Sequence, residues 1–308
     1  MRDGVLASLT PSERNVMVKI GNAPVSYGAF EVTVGKSEGV PDATEVLDAV
    51  QAAGYQGIDL GPLGYLGLGA DLKAALDSRG LLLTGGYVEI DVSADEAPAS
   101  GLDELAQICD QFDAVASGLD RAYLPRPTVA LIGLPVAAGP DTESSRWARI
   151  ERTVGEVVGL CARRGYEACL HNEVGTQLAG QDAVIAVLES TGAALCLDTG
   201  HLVAAGGDPV AILAGWRDRV SHIHLKDARL SPSGRPFTDA MELWETDAFC
   251  PLGAGNGQIE EVLDSLRDGG YAGWIVVEQD VLPRSPDAYR QASLQQQENR
   301  QYLRDRGW

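Results

Sequence analysis

The sequence predicts an α/β protein, a single (β/α)8 barrel of the TIM type, and three observations predict it. Short apolar runs alternate with longer amphipathic stretches along the whole of the 308-residue chain. Eight such runs can be read, the last followed by a terminal helix-like segment, "SPDAYRQASLQQQENRQYLRDRGW". Polar residues gather where the runs end, which is where barrels of this kind carry their chemistry. A doubly wound open sheet is the competing reading, and its mark would be a glycine-rich phosphate loop after the first strand. "GNAPVSYGAFE" is not G-x-G-x-x-G.

The expected strands, in order, are "VMVKIGNAP" from Val16, "GIDLG" from Gly57, "LLLTGGYV" from Leu81 and "TVALIG" from Thr128. "YEACLHNE" from Tyr166, "AALCLD" from Ala193, "RVSHIHL" from Arg219 and "WIVVEQD" from Trp274 complete the set. The fourth carries the weakest signal, because "LPRPTVALIGLP" is rich in proline, which donates nothing to a ladder. Between the strands, "DATEVLDAVQAAGY", "DLKAALDSRG", "RWARIERTVGEVVGLCARRGY" and "IEEVLDSLRDGGY" have helical periodicity and end on glycine stops. The longest irregular stretch runs from about Lys226 to Gly257, and its proline, glycine and aromatic content suggests an ordered cover near the active face.

Composition excludes some functions. A formal charge of −20 argues against nucleic acid, whose phosphates require clustered Lys and Arg, and against an anionic membrane surface. No apolar stretch reaches the ~18 residues of a membrane span, and the N-terminus lacks the core of a signal peptide. Five scattered cysteines without a C-x-x-C pair fit reduced thiols, so a cytoplasmic location is expected.

The strand ends supply a short inventory of reactive groups: Asn22 and Ser26, Asp59, Tyr87 and Glu89, His171 and Glu173, Asp198 and His201. His222 and His224 follow, with Lys226 and Asp227 just beyond, and then Glu278 and Asp280. All four histidines of the chain fall in this set. Strand alternation puts His222 and His224 on one face, and His171 and Glu173 on one face. Together these groups form a mixed oxygen and nitrogen donor set suited to Mn²⁺, Zn²⁺, Co²⁺ or Mg²⁺. Each has a plainer explanation. Asp198 could cap the next helix, the histidines could be packing residues, and Tyr87 and Glu89 could begin a capping loop. Glu278 could be a salt-bridge partner at the rim, and Lys226 could simply pair with Asp227. Convergence on consecutive strand ends favours the metal.

Read together, "IGNAPVSYG", "LHNEVGT", "LDTGH", "HIHLKD", "FCPLGAGNG" and "GWIVVEQD" resemble the sugar phosphate isomerase/epimerase family with a xylose-isomerase-like TIM barrel. Among them the inosose (2-keto-myo-inositol) dehydratases are most similar, over roughly residues 16 to 300. The resemblance implies one divalent metal, Mn²⁺ first, held by Glu173, Asp198, His224 and Glu278. Many relatives have Glu at the position of His171 or a second His where Glu173 stands; Glu173 is taken here as the ligand. His171 is then the expected base, with Glu89 as second candidate and Lys226 assisting the leaving oxygen. His201, Asn22, Tyr87 and His222 are expected on the substrate side, His222 behind the ligands.

The implied chemistry is proton abstraction next to the ketone of a small keto-polyol or keto-sugar, followed by loss of water. Elimination from a 3-keto-glycoside with a small partner subunit, and keto-sugar 3-epimerisation, are alternatives; a homo-oligomer would serve any of them. Phosphodiester cleavage of the AP endonuclease type would need a basic groove and more histidines than four.

Overall fold

A computed structural model describes residues 18–93, 98–133, 143–285 and 287–308. Nine parallel strands lie in it: β1 (Val18–Asn22), β2 (Gly57–Ile58), β3 (Leu82–Leu83), β4 (Gly85–Asp91), β5 (Arg126–Ile132), β6 (Cys169–His171), β7 (Ala194–Asp198), β8 (Val220–Ala228) and β10 (Gly273–Glu278). A short β9 (Phe249–Cys250) runs antiparallel to the end of β8. The spatial order is β3-β2-β1-β10-β8-β7-β6-β5-β4. β3 and β4, the two ends of that path, are one run of chain interrupted at Thr84, so nine strands fill the eight expected places. Thr84 closes the ring: its N–H donates to Ile58 O (3.0 Å) and its carbonyl accepts from Arg126 N (3.0 Å).

The expected strands are present with adjusted ends. Val16 and Met17, at the start of the first expected strand, lie outside the described residues. "LLLTGGYV" is longer than its apolar part and continues through Tyr87 and Glu89 to Asp91. The proline-rich fourth strand forms because Pro127 sits where only β4 pairs with it; pairing to β6 begins at Thr128.

Helices α1 (Ala43–Ala53), α2 (Gly69–Asp77), α3 (Ala99–Val115), α4 (Glu143–Arg163), α5 (Gln181–Ser190), α6 (Thr199–Ala204), α7 (Pro209–Trp216), α8 (Ala240–Glu245), α9 (Ile259–Asp268) and α10 (Ala288–Arg304) accompany the strands. α1 starts in a capping box, Asp42 accepting from Glu45 N while Glu45 accepts from Asp42 N, and stops at Gly54 in the left-handed region (φ 81°). α9 buries Ile259, Val262, Leu263 and Leu266, one stripe at helical spacing. No helix among the described residues is long and apolar enough to cross a membrane.

Inside the ring, residues facing inward alternate with residues facing the helices. Trp274 fills the lower interior and donates its indole N–H to Tyr123 O (3.2 Å). Gly57 makes room for that ring, since a Cβ there would lie 2.7 Å from Trp274. Two pleats above Trp274, on the same face of β10, is Glu278, and the corresponding upper layer of the other strands holds the polar groups.

The stretch from Lys226 to Gly257, expected to be irregular, is partly regular. Lys226 to Ala228 extend β8, β9 pairs with them, and α8 lies between. Asp227 organises its return. The carboxylate accepts backbone N–H groups of Ala228 (2.9 Å), Gly253 (2.9 Å), Gly255 (2.9 Å) and Gly257 (2.8 Å). Cβ atoms at Gly255 and Gly257 would meet Asp227 Oδ1 at 2.4 and 2.7 Å, so the "GAGNG" glycines let the backbone wrap this carboxylate. Asp227 is therefore not the simple partner of Lys226.

Candidate active site

The C-terminal ends of the strands surround a concave site that is partly open to solvent. His171, His201, His224, Lys226, Glu173, Glu278 and Asp280 form its polar side. Phe30 and Trp244, edge to face at 5.3 Å between centroids, add apolar surface to the lining with Val25 and Ala29. Trp244 comes from α8, and its indole N–H donates to Asp280 Oδ2 (3.1 Å), so the long segment does cover the site.

At the bottom, four side chains from four strands converge. His171 Nε2 lies 3.1 Å from His224 Nδ1 and 3.7 Å from Asp198 Oδ2, and His224 Nδ1 lies 3.4 Å from Glu278 Oε2. Asp198, His224 and Glu278 each place a donor atom within 4.8 Å of the others. Such separations match neighbouring ligands on one ion with bonds of ~2.0–2.2 Å, and two imidazoles with two carboxylates suit a divalent cation. Cys196 also reaches the two imidazoles, but burial pushes its thiol up and leaves it protonated. Asp198 serves two ends at once. Its Oδ1 accepts from His201 N (2.8 Å) and caps α6, while Oδ2 faces the cluster.

Glu173, expected as a ligand, is in none of the groups of close donor atoms that include His224, whereas His171 lies 3.1 Å from His224 Nδ1. β6 ends at His171, so the alternation that would carry Glu173 onto the same spot ends with it. Asn172 turns aside to bond both backbone groups of Asp198 (Nδ2 to O 2.9 Å, N to Oδ1 3.0 Å), and Glu173 opens a turn closed by Thr176 N. Its Oε2 lies 3.6 Å from His171 Nδ1 and accepts from the Tyr87 hydroxyl (2.8 Å), which also reaches Glu89 (3.2 Å). His171 Nδ1 has no hydrogen-bond partner among the described residues and stands on the Glu173 side, while Nε2 faces His224.

Two expected substrate contacts are elsewhere as well. Asn22 pairs in register with Val277, one residue out of phase with inward Glu278, so it faces the helices and donates to Gln296 Oε1 (2.9 Å). His222 is inward but one pleat below His224, wholly buried, and does not line the cavity. His201 and Tyr87 do line it. His201 Nδ1 accepts from Val174 N (3.3 Å), which leaves Nε2 to carry the proton, 3.8 Å from Asp280 Oδ2.

Lys226 Nζ lies 3.0 Å from Asp198 Oδ2, 3.0 Å from Glu278 Oε2 and 2.8 Å from Asp280 Oδ1. Burial disfavours that charge, but the three carboxylates outweigh burial and hold the ammonium well above its ordinary pKa. Burial likewise opposes a proton on His171, yet Asp198 and Glu173 raise the ring to about 9. Burial pushes Glu173 up, and His171, His201 and Tyr87 overcome it, bringing the carboxyl to about 2. Burial, with the charges of Asp198 and Asp280, carries Glu278 to about 8 despite Lys226. Burial and neighbouring positive charge keep His224 and His201 neutral. Glu173 is thus the ionised carboxylate on the substrate side.

Asp280, Trp244, Phe30 and Asp59 also line the cavity. Asp280 and Asp59 stand at visible strand ends, whereas Phe30 and Trp244 sit in connections with no periodic signal.

A family model described as a xylose isomerase-like TIM barrel matches residues 38–305. The chain belongs to that family. Among the proteins it is similar to, the rhizopine catabolism protein MocC of Rhizobium meliloti is 26% identical over 280 residues, covering 89% of this chain and 85% of that one. An inosose dehydratase of Lacticaseibacillus casei is 24% identical over 298 residues, covering 90% and 93%. The crystal structure of the IOLI protein with a binding zinc atom superposes with a TM-score of 0.68 at 14% identity, covering 93% of this chain and 97% of that one. Such structural likeness shows the shared family fold.

Proposed function

We propose that the protein is a divalent-metal-dependent lyase that removes a proton beside the ketone of a neutral keto-polyol and expels water, a 2-keto-inositol being the first candidate. The observation that carries this reading is the convergence of His171, Asp198, His224 and Glu278, with Glu173 on one side and Lys226 on the other. The inosose dehydratases among its relatives support the substrate class.

His171, Asp198, His224 and Glu278 would hold the ion. When bound, it would polarise the ketone and stabilise the negative charge that appears on its oxygen. Glu173, ionised and held by Tyr87, accepts the proton from the carbon beside the ketone. Lys226, kept protonated by three carboxylates, gives a proton to the departing hydroxyl, so one C–H and one C–O bond break and water leaves. His201 and Asp280 offer polar contacts for further hydroxyls, and Phe30 with Trp244 presents an apolar surface to ring C–H groups. The cavity lining is rich in carboxyl groups, the ionised Glu173 among them, with Lys226 its single ammonium, which disfavours phosphorylated substrates.

A second reading, epimerisation or isomerisation of a keto-sugar, shares the first proton transfer and is favoured by the groups on both sides of the cluster: Lys226 would return a proton to carbon instead of oxygen. Incubating the Mn²⁺-loaded protein with 2-keto-inositol and with keto-hexoses, read by mass, tests the choice. Loss of 18 mass units means dehydration, retained mass with solvent deuterium incorporated means isomerisation, and no exchange with any of them contradicts both.

A further inference from the structure

Directly behind His224 lies a set of polar atoms that the chemistry above does not use. Asp59 Oδ2, both ring nitrogens of His222 and His224 Nε2 have no hydrogen-bond partner within the protein. All three side chains are buried, at 4%, 0% and 3% exposure. Asp59, His222 and His224 each place a donor or acceptor atom within 4.8 Å of the other two, yet no direct hydrogen bond joins them. That is the spacing of groups bridged by one small polar molecule.

Room for it is kept by Gly85. A Cβ on that residue would lie 2.9 Å from Asp59 Oδ2 and 3.6 Å from His222 Nε2, and also 2.7 Å from the Arg126 carbonyl. The protons demand a partner as well. His224 Nδ1 faces His171 Nε2 at 3.1 Å and Glu278 Oε2 at 3.4 Å, and on the metal reading its lone pair turns to the ion held there. A neutral ring with that lone pair free carries its proton on Nε2, the buried nitrogen on the Asp59 side. Ligating imidazoles are oriented by an acceptor at their second nitrogen.

We propose that one water molecule is held between His224 Nε2, Asp59 Oδ2 and His222, and that through it Asp59 is the positioning residue for the metal-binding ring of His224. The water accepts the Nε2–H and donates to the carboxylate and to a ring nitrogen of His222. This rests on the metal reading above, though not on the reaction proposed with it.

The test is a cobalt(II) titration of the metal-free full chain against a competing chelator dye, with the visible cobalt band recorded, for wild type, Asp59→Asn and Asp59→Leu. Wild type is expected to bind one cobalt per chain. Asp59→Leu is expected to bind it ~10–100-fold more weakly, with Asp59→Asn between and the band shifted in both. The melting temperature of metal-free Asp59→Asn should match wild type, and this isosteric variant decides the matter if the leucine variant does not fold. Unchanged affinity and band in Asp59→Asn would overturn the proposal. Two cobalt ions per wild-type chain, the second lost in the variants, would overturn it too by putting a cation where the water is placed. A wild type that binds no cobalt fails the metal reading itself, whereas cobalt binding without dehydration leaves this inference standing.

Discussion

His171 presents Nε2 to Asp198 and His224 and Nδ1 to Glu173, and this orientation divides the roles of neighbouring side chains. Glu173→Gln should keep full metal content but slow exchange of the substrate α-proton by ~10²–10⁴-fold, measured by deuterium incorporation. Unslowed exchange would remove Glu173 as base. Lys226→Met should act later. Exchange is expected to persist while release of water falls at least ~10-fold, which mass analysis of deuterated and dehydrated product separates. The same variant leaves Asp198, Glu278 and Asp280 without their shared cation. Its metal-free form should melt below wild type, with the difference narrowing when Mn²⁺ is added.

The end of β8 and the loop that returns past it form the mechanical support of the site. Asp227 accepts four backbone N–H groups there, and Asp227→Ala should lower stability by at least ~3 kcal/mol in denaturant unfolding. α8 brings Trp244 over the cavity and ties it to Asp280. Trp244→Ala is expected to raise KM ~10-fold or more with a smaller change in kcat, because the apolar wall binds the ring without touching the reacting atoms. Strand identity and the polar strand ends were legible in the sequence, since burial imposes apolar runs and β alternation puts His222 and His224 on one face. Alternation holds only while the strand lasts. It fixes no orientation for Glu173, two residues past the end of β6, and gives no inward or outward parity for Asn22. Phe30 and Trp244 were illegible because tertiary packing, not a local period, brings them to the cavity.

Across the whole molecule, closure of the ring at Thr84 brings side chains from β6, β7, β8 and β10 to one point from distant parts of the sequence. The net charge of −20 shapes what reaches them, and a keto-sugar phosphate should show kcat/KM at least ~10-fold below that of its neutral counterpart. The central claim, a divalent ion held by His171, Asp198, His224 and Glu278 with Glu173 outside the ligand set, is tested most directly by metal content. Wild type, His171→Ala and Glu173→Gln are to be loaded with Mn²⁺, desalted and assayed for metal per chain. The account predicts one ion in wild type and in Glu173→Gln, and loss of it in a folded His171→Ala. Full metal in His171→Ala with none in Glu173→Gln would contradict it.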